Sequence, residues 1–333
     1  MGEQTQFLAN DLYLSVDGGG TSCKTCLYDF DGNILGQAAT GASNARLGVK
    51  RVVNEIMLSA KQAFAAANID FENISNTHAC FGLAGLELDR DQQNFYEWPT
   101  GFKSVILETD AVTACLGAFN GEDGAIVITG TGSSAVAINN GEIHNIGGWG
   151  FELSDTGSGA IVGRNAVRYA LLAAENIEPK SALSDYILNH FDQRTGAMVL
   201  WAEAAEPKDY AGFTSKVFDL AEQGDDAALK LVAQHIAEIS QLITSIMAYG
   251  SQKFTLLGGL AIRSAKLLPD NLQKQYVTHH GNALYGGFLR ITKNLNGSRV
   301  TKPQKFNSNS TTQNSSTEKS PTQDPHRSAY VKN

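Results

Sequence analysis

Residues 12–40 read LYLSVDGGGTSCKTCLYDFDGNILGQAAT, and this stretch decides the fold. Residues 12–16 alternate as a strand does, Asp17-Gly18-Gly19-Gly20-Thr21 breaks the run, and 24–30 resumes strand character. Asp31-Gly32 is a strong hairpin-turn signal leading into a third strand over 34–39. The glycine run therefore joins two antiparallel strands. A P-loop and a dinucleotide-binding turn are excluded, because both pass from a strand through glycines into a helix.

The pattern returns about 112 residues later as GAIVITGTGSSAVAINNGEIHNIGG, residues 124–148. Here Gly130-Thr131-Gly132-Ser133 interrupts the strands and Asn140-Gly141 makes the hairpin turn. Internal symmetry at a fixed offset predicts two related units, each presenting a glycine turn to one cleft. Such turns let backbone N–H groups approach an anion closely. Between and beyond the hairpins the pattern is α/β. Helices are expected over 50–67, 158–176, 181–191, 210–222, 226–249 and 282–296, with another from 260 onward. Short buried strands are expected at 78–83, 104–107 and 253–257.

The chain has 333 residues, enough for two domains with sizeable cores. No apolar run is long enough to span a membrane, and MGEQTQFLAN at the start lacks the pattern of a secretory signal. The net charge of −8 argues against nucleic-acid binding. Six Lys/Arg against two acids over 297–333 leave −12 on the remainder. That tail, with three of the seven prolines and little to bury, is expected to be disordered. Cys23, Cys26, Cys80 and Cys115 are no disulfide framework and suit a reducing cytoplasm. Cys23-x2-Cys26 lies on a strand, which points the two thiols to opposite faces, and no second pair has zinc spacing.

Taken in order, VDGGGTSCKTCLYD, ETDAVTACLGA, VITGTGSSAVA, GGWGFELSDTGSG and FTLLGGLA resemble the segments of the actin/hexokinase/heat-shock-chaperone ATPase superfamily. Within it the chain resembles the N-acetylglucosamine kinase and BadF/BadG/BcrA/BcrD-type ATPase group. The resemblance covers residues 12–290, and GGWGFELSDTGSG is its most specific piece. It implies two actin-like, ribonuclease H-like α/β domains, each a five-stranded mixed sheet with flanking helices, closing on ATP and a sugar. The expected division is 1–122, 123–296 and the tail, with the last helix free to pack back on the first domain.

The resemblance also assigns roles. Gly18, Gly19, Gly20, Thr21, Gly130, Thr131, Gly132 and Ser133 would hold the phosphates of ATP. Gly258, Gly259 and, less strongly, Ala211 would line the adenosine pocket. Asp17, at a strand end, would orient Mg²⁺ through its water shell. Asp110 would be the general base on the sugar 6-hydroxyl. Asn44, Gly148, Trp149 and Asp155 would contact the sugar. Read without the resemblance, Asp17 caps a turn, Asp110 and Asp155 cap helices, and Trp149 fills a core. The expected activity is an N-acetylglucosamine 6-kinase using ATP and Mg²⁺ on a small amino sugar, possible also as a homodimer. Two rivals stand beside it: a glucosamine kinase, and an ATPase activating a radical dehydratase through a cluster held by cysteines.

Overall fold

The computed structural model describes residues 11–86 and 89–296. The expectations for the N-terminal ten residues and for the 297–333 tail lie outside those residues. The chain begins with β1 (Leu12–Gly18), β2 (Cys23–Tyr28) and β3 (Ile34–Thr40), then α1 (Val49–Ala66) and β4 (Thr77–Leu83). α2 (Asp89–Tyr96), β5 (Ser104–Thr109) and α3 (Asp110–Ala118) follow. The second hairpin is β6 (Gly124–Thr129), β7 (Ser133–Asn139) and β8 (Glu142–Gly147). Helices α4 (Gly159–Ala174), α5 (Ala182–His190), α6 (Thr195–Ala204), α7 (Pro207–Ala211), α8 (Thr214–Glu222) and α9 (Asp226–Met247) come next. The chain ends in β9 (Phe254–Leu257), α10 (Ala261–Ala265), α11 (Asp270–Gln273) and α12 (Ala283–Asn296).

Two mixed sheets result. The first has the order β3-β2-β1-β4-β5, with β1 antiparallel to β2 and parallel to β4. The second has the order β8-β7-β6-β9, with β6 antiparallel to β7 and parallel to β9. The repeat is thus real: β1-β2-β3 and β6-β7-β8 are the same meander, each continued by a parallel strand. The expectation of five strands in both sheets needs one correction. After Leu257 the chain turns into two short helices, and the fifth position shrinks to a single parallel bridge between Phe254 and Tyr276. The Phe254 N–H donates to the Gln275 carbonyl, and the Val277 N–H donates to that of Phe254. Beyond Val277 the chain leaves that edge, and the His280 and Gly281 N–H groups donate instead to the Ala118 and Gly117 carbonyls at the end of α3.

Helical periodicity explains the layers. Val52, Val53, Ile56, Ala60 and Phe64 fall on one face of α1 and are buried with Leu14, Val16, Leu27 and Phe81 of the first sheet. On α9, started by an Asp225 side chain accepting from the Ala228 N–H, Ile239, Ile243 and Ile246 bury against Ala125, Val127 and Leu256 of the second. Each such side chain is worth about 1.5–3 kcal/mol on leaving water. The expected helix over 210–222 is broken at Gly212 into α7 and α8. The helix expected from 260 stops after Ala265.

Two helices lie between the sheets. α12 covers the first sheet, where Leu284, Phe288 and Leu289 pack on Tyr13, Cys26 and Cys80. α3 covers the second, with Ala111, Val112 and Cys115 against Ile126, Val136 and Ile138. Cys23 and Cys26 do point into different cores, one under α1 and the other under α12. The described residues contain no helix long and apolar enough to cross a membrane.

Candidate active site

The first glycine turn is tied into its sheet from both sides. The Gly18 carbonyl accepts from the Ala84 N–H, the Gly19 carbonyl from the Ser43 N–H, and the Ala84 carbonyl from the Ala45 N–H. These bonds set the turn beside Asn44 and the loop after β4. Gly18 is a glycine for packing reasons, since a Cβ there would lie 2.5 Å from Leu83 and 2.7 Å from the Ser43 hydroxyl. Gly20, by contrast, faces open space and is exposed, as is Thr21. Asp17 pairs in register with Lys24, whose Nζ lies 3.9 Å from its carboxylate. Burial pushes the Asp17 carboxyl above the usual carboxylate range, and Lys24 opposes that shift.

The second turn closes against two neighbours. The Gly159 and Ala160 N–H groups donate to the Gly130 and Thr131 carbonyls, which seats the start of α4 on the turn. A Cβ on Gly258, whose φ is +99°, would overlap the Thr129 carbonyl oxygen, so the Gly258-Gly259 turn also lies directly on it. Ala211 sits beside Gly159, which a Thr214 hydroxyl secures by donating to its carbonyl at 2.6 Å. All the residues expected around the nucleotide in the second unit are therefore adjacent. Thr129, the counterpart of Asp17, is fully buried and donates to the Gly157 carbonyl. The two halves of the repeat are not chemically equivalent.

A cavity of about 380 Å³ opens between the sheets. Asp110, Gly148 and Trp149 line it together with Thr109, Ser134 and Asn145 and an apolar wall that includes Leu86, Val136 and Ile146. Thr109, whose hydroxyl accepts from the Val112 N–H, caps α3. Asp110 is thus the first helical residue, and its carboxylate also accepts from the Ala111 N–H at 2.8 Å. Trp149 is 59% exposed and belongs to no core.

Asp155 stands behind the second turn. A Cβ on Gly132 would lie 3.0 Å from its Oδ2, and its Oδ1 accepts from the Ser133 N–H at 3.3 Å. The helix that follows is capped by Ser158, accepting from the Ile161 N–H, which frees Asp155 from that duty. Its backbone has a φ of +25°, rare for a residue with a side chain and a mark of local strain at functional sites. Burial pushes the Asp155 carboxyl up, opposed by the Ser133 amide and the Arg46 charge. Asn44 lies on the other side of the cleft, its carboxamide oxygen accepting from the Arg46 N–H at 2.9 Å. The cavity lining includes neither Asn44 nor Asp155; Asn44 packs on Gly85, next to Leu86 of the lining, and Asp155 bonds Ser133, next to Ser134.

Sequence reasoning overlooked Thr109, Ser134 and Asn145. The last two alternate out of the β7–β8 hairpin next to the glycine turn, and that proximity was the available signal. Glu108, two residues before Asp110, is engaged elsewhere by the Arg290 guanidinium at 2.5 Å. The four cysteines are buried, which pushes the thiols up, to about 11 for Cys26 and about 12 for Cys115. Among the described residues no three or more His, Cys, Asp or Glu side chains group as metal ligands. Asp17, one carboxylate beside the open Gly20, suits Mg²⁺ carried mainly by phosphate oxygens and water.

A sequence model of the BadF/BadG/BcrA/BcrD ATPase family matches residues 14–287. The chain is 33% identical over 277 residues to glucosamine kinase GspK of Vibrio cholerae, covering 83% of this chain and 94% of that protein. It is 24% identical over 300 residues to N-acetyl-D-glucosamine kinase of Dictyostelium discoideum, covering 83% and 93% respectively. A crystal structure from Chromobacterium violaceum, provisionally named an N-acetylglucosamine kinase, superposes with a TM-score of 0.79 at 27% identity. It covers 85% of this chain and 100% of that one.

Proposed function

Because the chain belongs to the BadF/BadG/BcrA/BcrD ATPase family, we propose that it transfers the γ-phosphate of ATP to an amino sugar. N-acetylglucosamine is the sugar and its 6-hydroxyl the acceptor. Amino-sugar kinase activity is carried by the named relatives. The finer reading rests on one observation: a single cavity carries Asp110 on one side and Gly148 and Trp149 on the other. The working division is a unit to about residue 122 and a second over 123–296, with the cleft between them.

Phosphoryl transfer asks the protein for alignment and charge stabilisation more than for covalent chemistry. The backbone N–H groups around Gly20, Thr21, Thr131 and Gly132 would hold the phosphates. Mg²⁺, when bound near Asp17, supplies charge neutralisation on the phosphate oxygens. Asn44 and Asp155 would orient the sugar. Asp110 would then take the 6-hydroxyl proton as that oxygen bonds to the γ-phosphorus and the bond to ADP breaks.

Glucosamine is the second reading, favoured by the 33% identity to a glucosamine kinase. The cavity argues the other way. Leu86, Ala111, Val136 and Ile146 make an apolar wall, and Asp110 is the one carboxylate among the lining residues. An acetamido methyl gains from such a wall, whereas an ammonium loses hydration there. We expect kcat/KM for N-acetylglucosamine to exceed that for glucosamine by at least about tenfold, the scale of discrimination a small apolar group provides. A coupled ADP assay over both sugars measures this, and the reverse order would assign the chain to glucosamine.

Acid should inactivate the free enzyme early. Asp155 must be a carboxylate to accept sugar hydroxyls, and its folded-state pKa is raised by burial. Protonation on lowering pH therefore begins above the ordinary range near 3.9. The acid limb of kcat/KM for the sugar, recorded from about pH 3 to 8, should lie above that value. A limb centred at or below it would remove Asp155 from sugar binding.

A further inference from the structure

Arg46 is a cation that the first unit sends toward the sugar loop. It sits in the short 3-10 turn Ala45–Leu47, whose cap is Asn44. Gly85, at φ +81°, packs against both residues: a Cβ there would overlap the Asn44 carboxamide oxygen and lie 3.1 Å from Arg46 Cγ. The arginine stem is thus set by the same loop that sets Asn44. Its far end reaches the second unit, where Nη1 lies 3.9 Å from the position of a Cβ on Gly150.

The loop it reaches turns sharply and is anchored to its own unit through Ser133, whose N–H donates to Asp155 Oδ1 and whose hydroxyl donates to the Thr156 carbonyl. Gly147, Gly148, Gly150 and Gly157 all have positive φ, as does Asp155. The Gly157 N–H is pinned by Glu238 of α9 at 2.7 Å. At the cleft end the Trp149 N–H donates to the Ser154 hydroxyl oxygen over a long 3.4 Å.

We propose that Arg46 is a positioning residue for the sugar, tying the 147–157 loop to the first unit and presenting the Asp155 carboxylate to the sugar hydroxyls. This rests on the amino-sugar kinase reading given above. The Arg46 charge acts directly on Asp155, the group that burial otherwise makes harder to ionise. Arginine suits the task because its guanidinium keeps its charge and spreads several donors in one plane. An exposed residue with this reach can be replaced without disturbing a core.

Arg46→Gln and Arg46→Lys, in the full chain, separate this role from a general one. Arg46→Gln should raise the sugar KM about tenfold or more, with kcat falling no more than about threefold and the ATP KM within about twofold. Arg46→Lys should recover much of the sugar KM. Without any ligand, amide exchange over 147–157 should quicken in Arg46→Gln and not elsewhere. An unchanged sugar KM in Arg46→Gln, or equal losses in the sugar and ATP KM values, would overturn the proposal. If the wild type phosphorylated no amino sugar, the kinase reading would fall instead. The ligand-free exchange contrast would then judge Arg46, and unchanged exchange would overturn its role.

Discussion

Asp110→Asn is expected to lower kcat by about 10²–10⁴ while leaving sugar affinity within a few-fold, the usual worth of a positioned general base. The substitution preserves shape and the bond accepted from the Ala111 N–H, which one carboxamide oxygen can still make. α3 should remain intact because its cap is Thr109, one residue earlier. What is lost is the capacity to hold a proton from the sugar hydroxyl. Steady-state kinetics with saturating ATP measure the effect, and circular dichroism checks that the helix survives. A variant retaining more than about a tenth of wild-type kcat would assign proton removal to another group or to water.

Local signals carried much of this reading, and distance limited the rest. The two hairpins were legible because strand alternation, Asp31-Gly32 and Asn140-Gly141 are all contiguous in the chain. α1 and α9 were legible because their buried residues follow a helical period. α6 was not: Ala197, Met198, Val199, Leu200 and Trp201 form an unbroken apolar run with no stripe to read. The missing fifth strand was equally hidden, since the resemblance supplied a strand where only Tyr276 bridges.

The site divides along the same line. The glycine turns, Asp110 and the sugar loop were found because motif and neighbours lie together in sequence. Whether Asp110 and Asp155 merely capped helices depended on where Thr109 and Ser158 point, which is a matter of three-dimensional packing. Arg46 and Asn145 are ordinary polar residues in sequence and gain significance only from what faces them across the cleft.

The crossing of α3 and α12 carries the second large effect. A Cβ on Gly286 would overlap the Thr113 carbonyl oxygen and lie 2.6 Å from the Gly117 nitrogen; one on Gly117 would overlap the Asn282 carbonyl. Backbone thus meets backbone, with no flexible side chain able to give way. Gly286→Ala should therefore cost about 3 kcal/mol, the upper end of overpacking effects, and lower Tm by about 6–12 °C. Gly196→Ala is the control, an exposed position in α6 with nothing within 4 Å, where alanine should be neutral or slightly stabilising. The loss should not stop at stability. α12 rests on the first sheet and α3 on the second, so this contact joins the two layers that border the cavity. Asp110 starts the same helix that Gly117 pins, roughly 10 Å away along its axis at 1.5 Å per residue. Splaying the crossing tilts α3 and displaces the carboxylate, and an error of about 1 Å at a reacting group can cost about 100-fold in rate. Gly286→Ala should accordingly lose kcat well below its melting transition, whereas Gly196→Ala should not. A Gly286→Ala protein with wild-type Tm and kcat would show that the helices separate freely, and that Asp110 is positioned by β5 alone.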